Sequence, residues 1–146
     1  MSSASHRPVV YLVKQLQSAL RAALDEAVAP TGLSTPEMAV LRTLQGSPGL
    51  SNAGLARAAF VKPQSMTPLL KSLEAKGLVL RMPDPAGGRA LAAELTPLGR
   101  ERLLAAAKAV MMVEARMLTP LAPDDRRRFA AMLEACLTAL RPESRS

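Results

Sequence analysis

The sequence predicts a mainly α-helical protein that carries one small β-hairpin. Hydrophobic residues make up 49% of the 146 residues and aromatic residues only 2%. The core therefore has to be built from Leu, Val, Ala and Met, of which Ala and Leu are strong helix formers. Apolar residues recur every three or four positions along most of the chain, as they do in amphipathic helices. Between residues 78 and 95 the period changes to two, which is typical of strands.

Composition narrows the class of protein. The length suits one domain or one compact unit with two lobes. The formal net charge is +7, and residues 51–100 hold 7 basic and 3 acidic side chains. A basic surface can serve nucleic acid, anionic lipid or acidic proteins, and charge alone does not separate these from a merely solvated surface.

The compartment is predicted from three absences in the sequence. The first eight residues lack the apolar segment of a signal peptide. No apolar stretch approaches the length that crosses a bilayer. Cys136 is the single cysteine and cannot form an internal disulfide, which suits a reducing compartment. We therefore expect a cytoplasmic protein that makes no membrane contact.

The first predicted helix covers residues 8–29 and ends at a Pro-Thr-Gly segment. Its apolar stripe consists of Val9, Leu12, Val13, Leu16, Leu20, Leu24 and Val28. Thr35 is the predicted N-cap of the second helix, because Pro36 follows it at the first helical position. The second helix faces inward with Met38, Leu41 and Leu44 and ends at residues 46–49. Leu50 is predicted to form a one-residue bridge strand.

Two short helices joined by a tight turn are predicted next. Ser51 can cap the third helix, whose apolar face consists of Leu55, Ala56, Ala59 and Phe60. The turn at Val61 and Lys62 leads into the fourth helix, and Gly77 ends that helix as a C′ glycine. The core face of the fourth helix consists of Met66, Leu69, Leu70 and Leu73.

A β-hairpin is predicted after Gly77. Two runs of alternating residues support it, namely Leu78, Leu80 and Met82, which alternate with Val79 and Arg81, and then Leu91, Ala93 and Leu95. The turn-rich segment at residues 83–88 separates the two runs. We expect this segment to form a flexible loop with a basic end.

Two further helices complete the chain. Thr96 and Pro97 are predicted to cap a long helix over residues 97–118. Pro123 fits the first turn of the last helix, where two aspartates suit the positive end of the helix dipole. The stripe of this helix consists of Phe129, Met132, Leu133, Cys136, Leu137 and Leu140. Because Cys136 lies on this stripe, we expect a buried structural thiol rather than a redox sensor.

The helix over residues 97–118 is apolar on two sides. One stripe consists of Leu103, Ala107, Val110, Val113 and Met117, and the other of Leu104, Met111 and Leu118. A helix of this kind needs two partners. It is either buried in a monomeric bundle or part of a homodimer interface built by the first, fifth and sixth helices, and the pattern favours the dimer. The candidate interface residues are Leu12, Leu16, Val110, Val113, Met117, Phe129, Leu133 and Leu137.

The third helix, the turn, the fourth helix and the hairpin follow the order of a winged helix-turn-helix. In such a motif the first turns of the second helix enter the major groove of DNA. The polar residues there are Gln64, Ser65, Thr67 and Lys71. Gln can bond an adenine edge, Ser and Thr can meet bases or phosphates, and Lys suits guanine or phosphate. Pro68 either touches a thymine methyl group or is merely tolerated on an exposed face.

Between Val9 and Leu140 the chain resembles the MarR family of bacterial transcriptional regulators. Three segments carry the resemblance in the right order and at the right spacing: LSTPEMAVLRTL (33–44), LSNAGLARAAFVKPQSMTPLLKSLEAKGLVLR (50–81) and DPAGGRALAAELTPLGRERL (84–103). The resemblance implies one MarR-like unit over residues 1–146 that forms a homodimer. Within it, the implied DNA-binding lobe covers residues 33–96 and the implied dimerisation lobe covers residues 8–29 and 97–141.

The resemblance also implies a function. A homodimeric repressor would bind a pseudo-palindromic site in double-stranded DNA and release it when a small aromatic or phenolic effector enters a cleft between the lobes. The expected DNA-binding residues are Ser51, Asn52, Lys62, Gln64, Ser65, Thr67, Pro68, Lys71, Arg81 and Arg89. Arg89 would reach the minor groove from the wing. The common wing of the family has an Asp two residues earlier, where this chain has Gly87, so we expect a less ordered wing. Tyr11 is the candidate residue for a ligand pocket.

Other classes of protein have less support. One His, one Cys and no Gly-rich phosphate loop leave little for an enzyme to work with. No Cys/His cluster predicts a metal site, and we expect no cofactor. Two alternatives remain, namely a winged-helix module that only contacts other proteins and a redox-responsive regulator that uses Cys136.

Overall fold

The computed structural model describes residues 7–83 and 91–142. Helix α1 spans Val9–Val28 and continues into a 3-10 turn at Ala29–Thr31; α2 spans Thr35–Gly46, α3 Asn52–Ala58 and α4 Pro63–Ala75; strands β1 and β2 span Val79–Pro83 and Leu91–Leu95; α5 spans Pro97–Leu118 and α6 Pro123–Leu140. The strands pair antiparallel, with Val79 opposite Leu95. The predicted fold class, mainly α with a small β-hairpin, is confirmed.

Two compact units divide the chain inside α5. The first unit runs to Val113, and the second begins at Glu114 and contains α6. Helices α1 to α4 and both strands belong to the first unit. The functional division into a DNA-binding lobe over residues 33–96 and a dimerisation lobe stays a prediction.

An aliphatic core joins α2, α3, α4 and β1. Its largest fully buried side chains are Val28, Val40, Leu41, Leu55, Met66, Leu70, Leu73 and Val79. No aromatic side chain is buried in the part of the chain that the structure describes. Burying one such aliphatic side chain contributes about 1.5–3 kcal/mol to folding, so this core fixes α3 against α4 and both against α2.

The N-cap of helix α2 lies one residue earlier than predicted. Ser34 is the N-cap: its Oγ accepts a hydrogen bond from the Glu37 N–H at 3.2 Å, and its own N–H donates to Glu37 Oε1 at 3.1 Å. The prediction of Thr35 was therefore wrong. A cap at Ser34 places a glutamate three residues on and completes a capping box, whereas a cap at Thr35 would place Met38 there.

The predicted caps at Ser51 and Thr96 are confirmed. Ser51 Oγ accepts a hydrogen bond from the Gly54 N–H at 3.1 Å. Thr96 Oγ1 accepts from the Gly99 N–H at 3.0 Å and donates to the Gly77 carbonyl oxygen at 2.7 Å. A Cβ atom at Gly99 would lie 2.1 Å from the Leu78 carbonyl oxygen. Only glycine allows α5 to approach the start of β1 so closely.

Helices α3 and α4 end in the same way with different residues. Gly77, after α4, has φ +72°, and the following N–H bonds to the Leu73 carbonyl, which is a Schellman motif. After α3 the same position is Phe60, with φ +56°, and the Val61 N–H bonds to the Ala56 carbonyl at 2.9 Å. Gly77 as the end of α4 is confirmed. The assignment of Phe60 to the apolar face of α3 was wrong, because the residue lies beyond the helix and is 97% exposed.

Val79 is the residue of strand β1 that faces the core, whereas Leu80 and Met82, which belong to the other alternating set, are exposed. Leu78 and Val79 are both buried, while Leu80 is 57% exposed. The reason is that the Leu78 N–H still donates a hydrogen bond to the Leu73 carbonyl in the last turn of α4. The alternation of the strand therefore starts one residue later, at Val79. Leu50 lies outside any strand, and in the described residues the sheet consists of β1 and β2. Its prediction as a bridge strand was wrong.

Apolar side chains stay exposed on α1, α5 and α6. Of the predicted interface residues, Leu12, Leu16, Leu133 and Leu137 are exposed, and Met117 and Phe129 are half-buried. Val113 is 7% exposed and Val110 packs against the core. These two residues of the predicted interface therefore pack within the chain, as the alternative of a helix buried in a bundle requires, and their role in a dimer interface stays a prediction. The other stripe of α5 is exposed at Leu104 and Met111.

The thiol of Cys136 is exposed, so its predicted burial was wrong. The apolar stripe of α6 on which it lies is not covered within a single chain. The apolar stripe of α6 in the sequence therefore corresponds to a face that needs a partner and not to the interior of this chain.

Within residues 7–83 and 91–142, no helix combines the length and the apolar character that a membrane span requires. No group of His, Cys, Asp and Glu residues in the same ranges is arranged to hold a metal ion.

Candidate nucleic-acid interface

A helix-turn-helix is formed by α3 and α4. Leu55 and Ala56 of α3 and Met66 and Leu70 of α4 are buried in one cluster, so packing fixes the two helices together. The turn between them holds the Phe60 position described above. The face of α4 opposite Met66 and Leu70 is therefore exposed to solvent.

The exposed face of α4 carries most of the predicted DNA-binding residues. Gln64, Thr67, Pro68 and Lys71 are all exposed. Their spacing of three and four residues places them on one side of the helix. In the described part of the chain, none of these side chains forms a hydrogen bond or an ion pair, so their donors and acceptors are available to an external partner. Ser65 is half-buried at the edge of this face.

Helix α4 continues through Pro68 without a break. Proline has no N–H, so the carbonyl oxygen of Gln64 lacks the helix hydrogen bond that it would otherwise accept. The cost is tolerable because Gln64 lies on the exposed face, where water or a ligand can donate to that oxygen. Both interpretations of Pro68, as a contact for a thymine methyl group and as a tolerated surface residue, remain predictions.

The other predicted DNA-binding residues lie in different surroundings. Ser51, Asn52 and Lys62 are exposed, at the starts of α3 and α4. Arg81, on β1, is half-buried rather than exposed. Arg89 and the wing tip at Gly87 lie outside the residues that the structure describes. The DNA contacts of all these residues remain predictions.

A buried glutamate ties α4 to α2. Lys76, at the end of α4, donates hydrogen bonds to Glu37 Oε1 at 2.9 Å and Oε2 at 2.8 Å. Lys76 also donates to the Gly32 carbonyl at 3.0 Å, and Ser72 donates to Glu37 Oε2 at 3.4 Å. The desolvation of Glu37, which is 5% exposed, would raise its pKa. The hydrogen bonds from Lys76 and Ser34 and the charge of Lys76 outweigh desolvation and hold the pKa of Glu37 below its ordinary value.

A cleft of about 940 Å³ lies beside the helix-turn-helix, between α1, α2 and the turn before α4. Its apolar lining includes Leu20, Leu24 and Leu69, and the Phe60 side chain also borders it. The candidate Tyr11 does not line this cleft, which on α1 is bordered from Gln17 onward. Tyr11, which could instead pack at the dimer base, therefore stays an untested candidate for a ligand pocket.

Two cations line the cleft, Arg21 on α1 and Lys62 at the N-cap of α4. In the described residues neither forms an ion pair. Asp25 also lines the cleft, but its Oδ1 accepts a hydrogen bond from the Thr35 hydroxyl at 2.5 Å. The described lining of the cleft thus combines apolar walls with two cations and the Asp25 carboxylate, which leaves an excess of positive charge that suits a small anion with an apolar body.

Phe60 is the one non-glycine residue with a positive φ in residues 7–83 and 91–142. A left-handed backbone costs an ordinary residue about 1–2 kcal/mol. Burial does not compensate this cost, because the side chain is almost fully exposed. Strain of this kind at the border of a cleft is a pointer to function.

The sequence did not reveal the cleft or its cations. Arg21 was not singled out in the sequence, and Phe60 fitted the apolar period of α3. The signal that was available is the Schellman motif itself: Ala59, Phe60 and Val61 directly follow a short helix, as Lys76, Gly77 and Leu78 follow α4.

Known proteins are similar to this chain in fold and in sequence. The family model for the MarR family matches residues 33–91. The HTH-type transcriptional repressor Rv2887 of Mycobacterium tuberculosis is 41% identical over 134 residues, which cover 92% of this chain and 96% of the repressor. These 134 residues extend well beyond the helix-turn-helix.

Solved structures of the same mycobacterial protein have similar folds. Its complex with DNA is 38% identical, with a TM-score of 0.75 over 89% of this chain and 98% of that chain. Its complex with salicylic acid is 41% identical, with a TM-score of 0.73 over 91% of this chain and 98% of that chain. With this level of identity along almost the full length of a relative, and with a winged helix-turn-helix in place, the chain belongs to the MarR family of transcriptional regulators.

Proposed function

We propose that this protein is a homodimeric transcriptional repressor that reads double-stranded DNA with the exposed face of α4. The observation that carries the proposal is the set of exposed polar side chains at Gln64, Thr67 and Lys71, which have no partner in the described chain. They lie on the first turns of the second helix of a helix-turn-helix, the part that enters the major groove. The Mycobacterium tuberculosis relative has been solved in complex with DNA, which supports DNA as the partner.

Further contacts to DNA come from the surroundings of α4. Lys62 and the uncapped N-terminus of α4 offer a positive charge and backbone N–H groups to a phosphate. Ser51 and Asn52, which are exposed at the start of α3, can add neutral hydrogen bonds to a phosphate. Arg89, on the wing, is proposed to enter the minor groove.

The dimer is supported by the exposed apolar side chains of α1, α5 and α6. Leu12 and Leu16, Leu104 and Met111, and Leu133 and Leu137 would all lie in water in a monomer. Exposed apolar surface of this extent marks an interaction site. A homodimer has two-fold symmetry, so we expect a pseudo-palindromic operator.

The effector is proposed to be a small aromatic carboxylate. The relative has been solved with salicylic acid and with p-aminosalicylic acid, each a planar ring with a carboxylate. The cleft offers matching chemistry, because Leu20, Leu24 and Leu69 can contact the ring while Arg21 and Lys62 hold the carboxylate. Lys62 also begins α4, so a ligand that binds it competes with a DNA phosphate for the same cation.

Two wider assignments follow from this function. We place the protein in the cytoplasm, where the bacterial chromosome lies, and assign it no catalytic activity. A module that contacts only other proteins would leave the polar face of α4 without a role.

Selection of bound fragments from the genome that encodes the protein tests the proposal. We expect recovery of a short inverted repeat that the purified dimer binds with an affinity that falls steeply as salt rises. Sodium salicylate should then release that fragment. Recovery of random fragments, with equal affinity for all of them, would contradict sequence-specific repression.

A further inference from the structure

We propose that Phe60 determines which effectors bind, because its ring covers one face of a planar aromatic ligand in the cleft. The proposal rests on the effector function proposed above and adds the residue that selects aromatic over non-aromatic carboxylates. The juxtaposition behind it is a strained, exposed phenylalanine at the border of a cleft that also presents two cations, neither of which forms an ion pair with a described residue.

The backbone at Phe60 is suited to glycine. The residue occupies the left-handed C′ position of a Schellman motif, as Gly77 does after α4. The Phe60 N–H bonds to the Arg57 carbonyl at 3.3 Å and the Val61 N–H bonds to the Ala56 carbonyl at 2.9 Å, so the full motif is present. A glycine would form the same bonds with less strain. The fold therefore gives no reason for an aromatic residue at this position.

The packing around the Phe60 ring does not explain an aromatic residue at this position either. The side chain is 97% exposed and does not belong to the core. It borders the cleft beside Lys62, and Leu20 and Leu24 line the same cleft from α1. A flat ligand between these leucines and Phe60 would have an apolar contact on both faces. Such a ligand would also take the ring out of water.

The charges of the cleft fix the orientation of this ligand. Arg21 and Lys62 line the cleft and form no ion pair with a described residue; the Asp25 carboxylate, which accepts a hydrogen bond from the Thr35 hydroxyl, lines it too, so the lining keeps an excess of positive charge. A carboxylate directed at the two cations leaves the ring of the ligand for the apolar residues. Offset stacking on Phe60 then distinguishes an aromatic ring from a saturated ring of similar size.

The test compares ligands and variants of the full chain by isothermal titration calorimetry. Sodium salicylate is the aromatic probe and sodium cyclohexanecarboxylate the saturated control. We expect Phe60→Gly and Phe60→Leu to weaken salicylate binding by roughly 3- to 10-fold, the size of one aromatic pair. Phe60→Tyr should stay within about 2-fold of the original affinity because it keeps the ring. The affinity for cyclohexanecarboxylate should change by less than about 2-fold in Phe60→Gly.

Thermal unfolding and operator binding separate this role from a structural one. The midpoint of Phe60→Gly should equal or exceed that of the unmodified protein, since glycine relieves the left-handed backbone. A lower midpoint together with equal losses for both ligands would overturn the proposal and indicate a role in folding. Weaker operator binding with unchanged salicylate affinity would overturn it in favour of a DNA contact.

The outcomes also distinguish this proposal from the effector function. Equal salicylate affinity in Phe60→Gly and the unmodified protein overturns the role of Phe60 and leaves the effector function standing. If neither protein binds salicylate while both bind the operator, the effector function and the role of Phe60 fail together, and repression remains.

Discussion

Lys76, after the last turn of α4, holds both carboxylate oxygens of Glu37 in α2, at 2.8 and 2.9 Å. The same carboxylate closes the capping box that begins α2. One buried side chain therefore fixes the start of α2 and the end of α4. Loss of this charge should loosen α4.

Glu37→Gln should lower the stability of the fold, and the loss should depend on pH. The pKa of Glu37 in the folded protein lies below the ordinary value of 4.5, so the unfolded state binds more protons near that pH. The contribution of Glu37 is thus fully present above pH 4.5 and is lost as the pH falls through the folded pKa. We expect a cost of about 1–3 kcal/mol at pH 7, measured by urea unfolding, and a smaller difference in acid.

Glu26→Gln is the matched control, because Glu26 is exposed on α1 and has no ion pair in the described chain. It should leave the pH profile unchanged. A Glu37→Gln profile parallel to that of the unmodified protein between pH 3 and 7 would show that Glu37 does not titrate as the structure requires.

Gln64→Ala should relax base preference at one position of each half-site. Gln64 is exposed on the first turn of α4 and can bond an adenine edge with two hydrogen bonds. We expect a loss of roughly 1–3 kcal/mol for the preferred base and little change for the others. Binding to a panel of operators with single substitutions measures it. Gln45→Ala, at an exposed glutamine of α2, is the control, and an unaltered preference at every base would place α4 differently in the groove.

Lys62→Gln should weaken both DNA binding and salicylate binding. Lys62 is the N-cap residue of α4 and also lines the cleft. The slope of operator affinity against salt concentration should fall by about one released counterion. Salicylate should bind roughly 5- to 10-fold more weakly. Lys14→Gln, on the exposed surface of α1, should change neither. An effect on DNA alone would mean that the effector uses Arg21 without Lys62.

Leu137→Glu should weaken the dimer. Leu137 is 54% exposed on α6, and a charge buried there on association without a partner is costly. We expect at least a 10-fold rise in the dissociation constant of the dimer, measured by analytical ultracentrifugation. Leu80→Glu, at a similarly exposed leucine of β1, is the control. Dimers of equal strength in the two variants would exclude this face of α6 from the interface.

Gly99→Ala should strongly destabilise the fold. The added Cβ would meet the Leu78 carbonyl oxygen at 2.1 Å, and that oxygen belongs to the backbone and cannot move aside cheaply. We expect a loss of about 2–3 kcal/mol in thermal or urea unfolding. Gly46→Ala, where no atom lies within 4 Å of the new Cβ, should be neutral or slightly stabilising. A thermal midpoint for Gly99→Ala equal to that of the unmodified protein would mean that α5 can move away from β1.

Sequence reasoning located elements well where a local rule determines them. The end of α4 at Gly77 and the caps at Ser51 and Thr96 each depend on a few neighbouring residues, so the chain itself carries the signal. The exposed face of α4 was predictable for the same reason, because helical spacing alone puts Gln64 and Lys71 on one side.

Features that depend on packing were less accessible. Val79 rather than Leu80 faces the core because the end of α4 occupies one more residue than the period suggested. Cys136 is exposed because its stripe requires another chain, which a single sequence does not display. The cleft combines residues from α1, α2 and the turn before α4, and no spacing in the sequence brings them together.

The exposed position of Phe60 has a practical consequence for spectroscopy. The chain contains no Trp and a single Tyr, so its intrinsic emission in the near ultraviolet comes from one phenol on α1. A Phe60→Trp variant would carry the sole indole of the protein, at the border of the cleft and three residues before the first residue of α4. Excitation near the red edge of absorption would then select this one side chain. A single fluorescence titration would follow the arrival of an effector, and a second would follow the departure of DNA, without an attached dye.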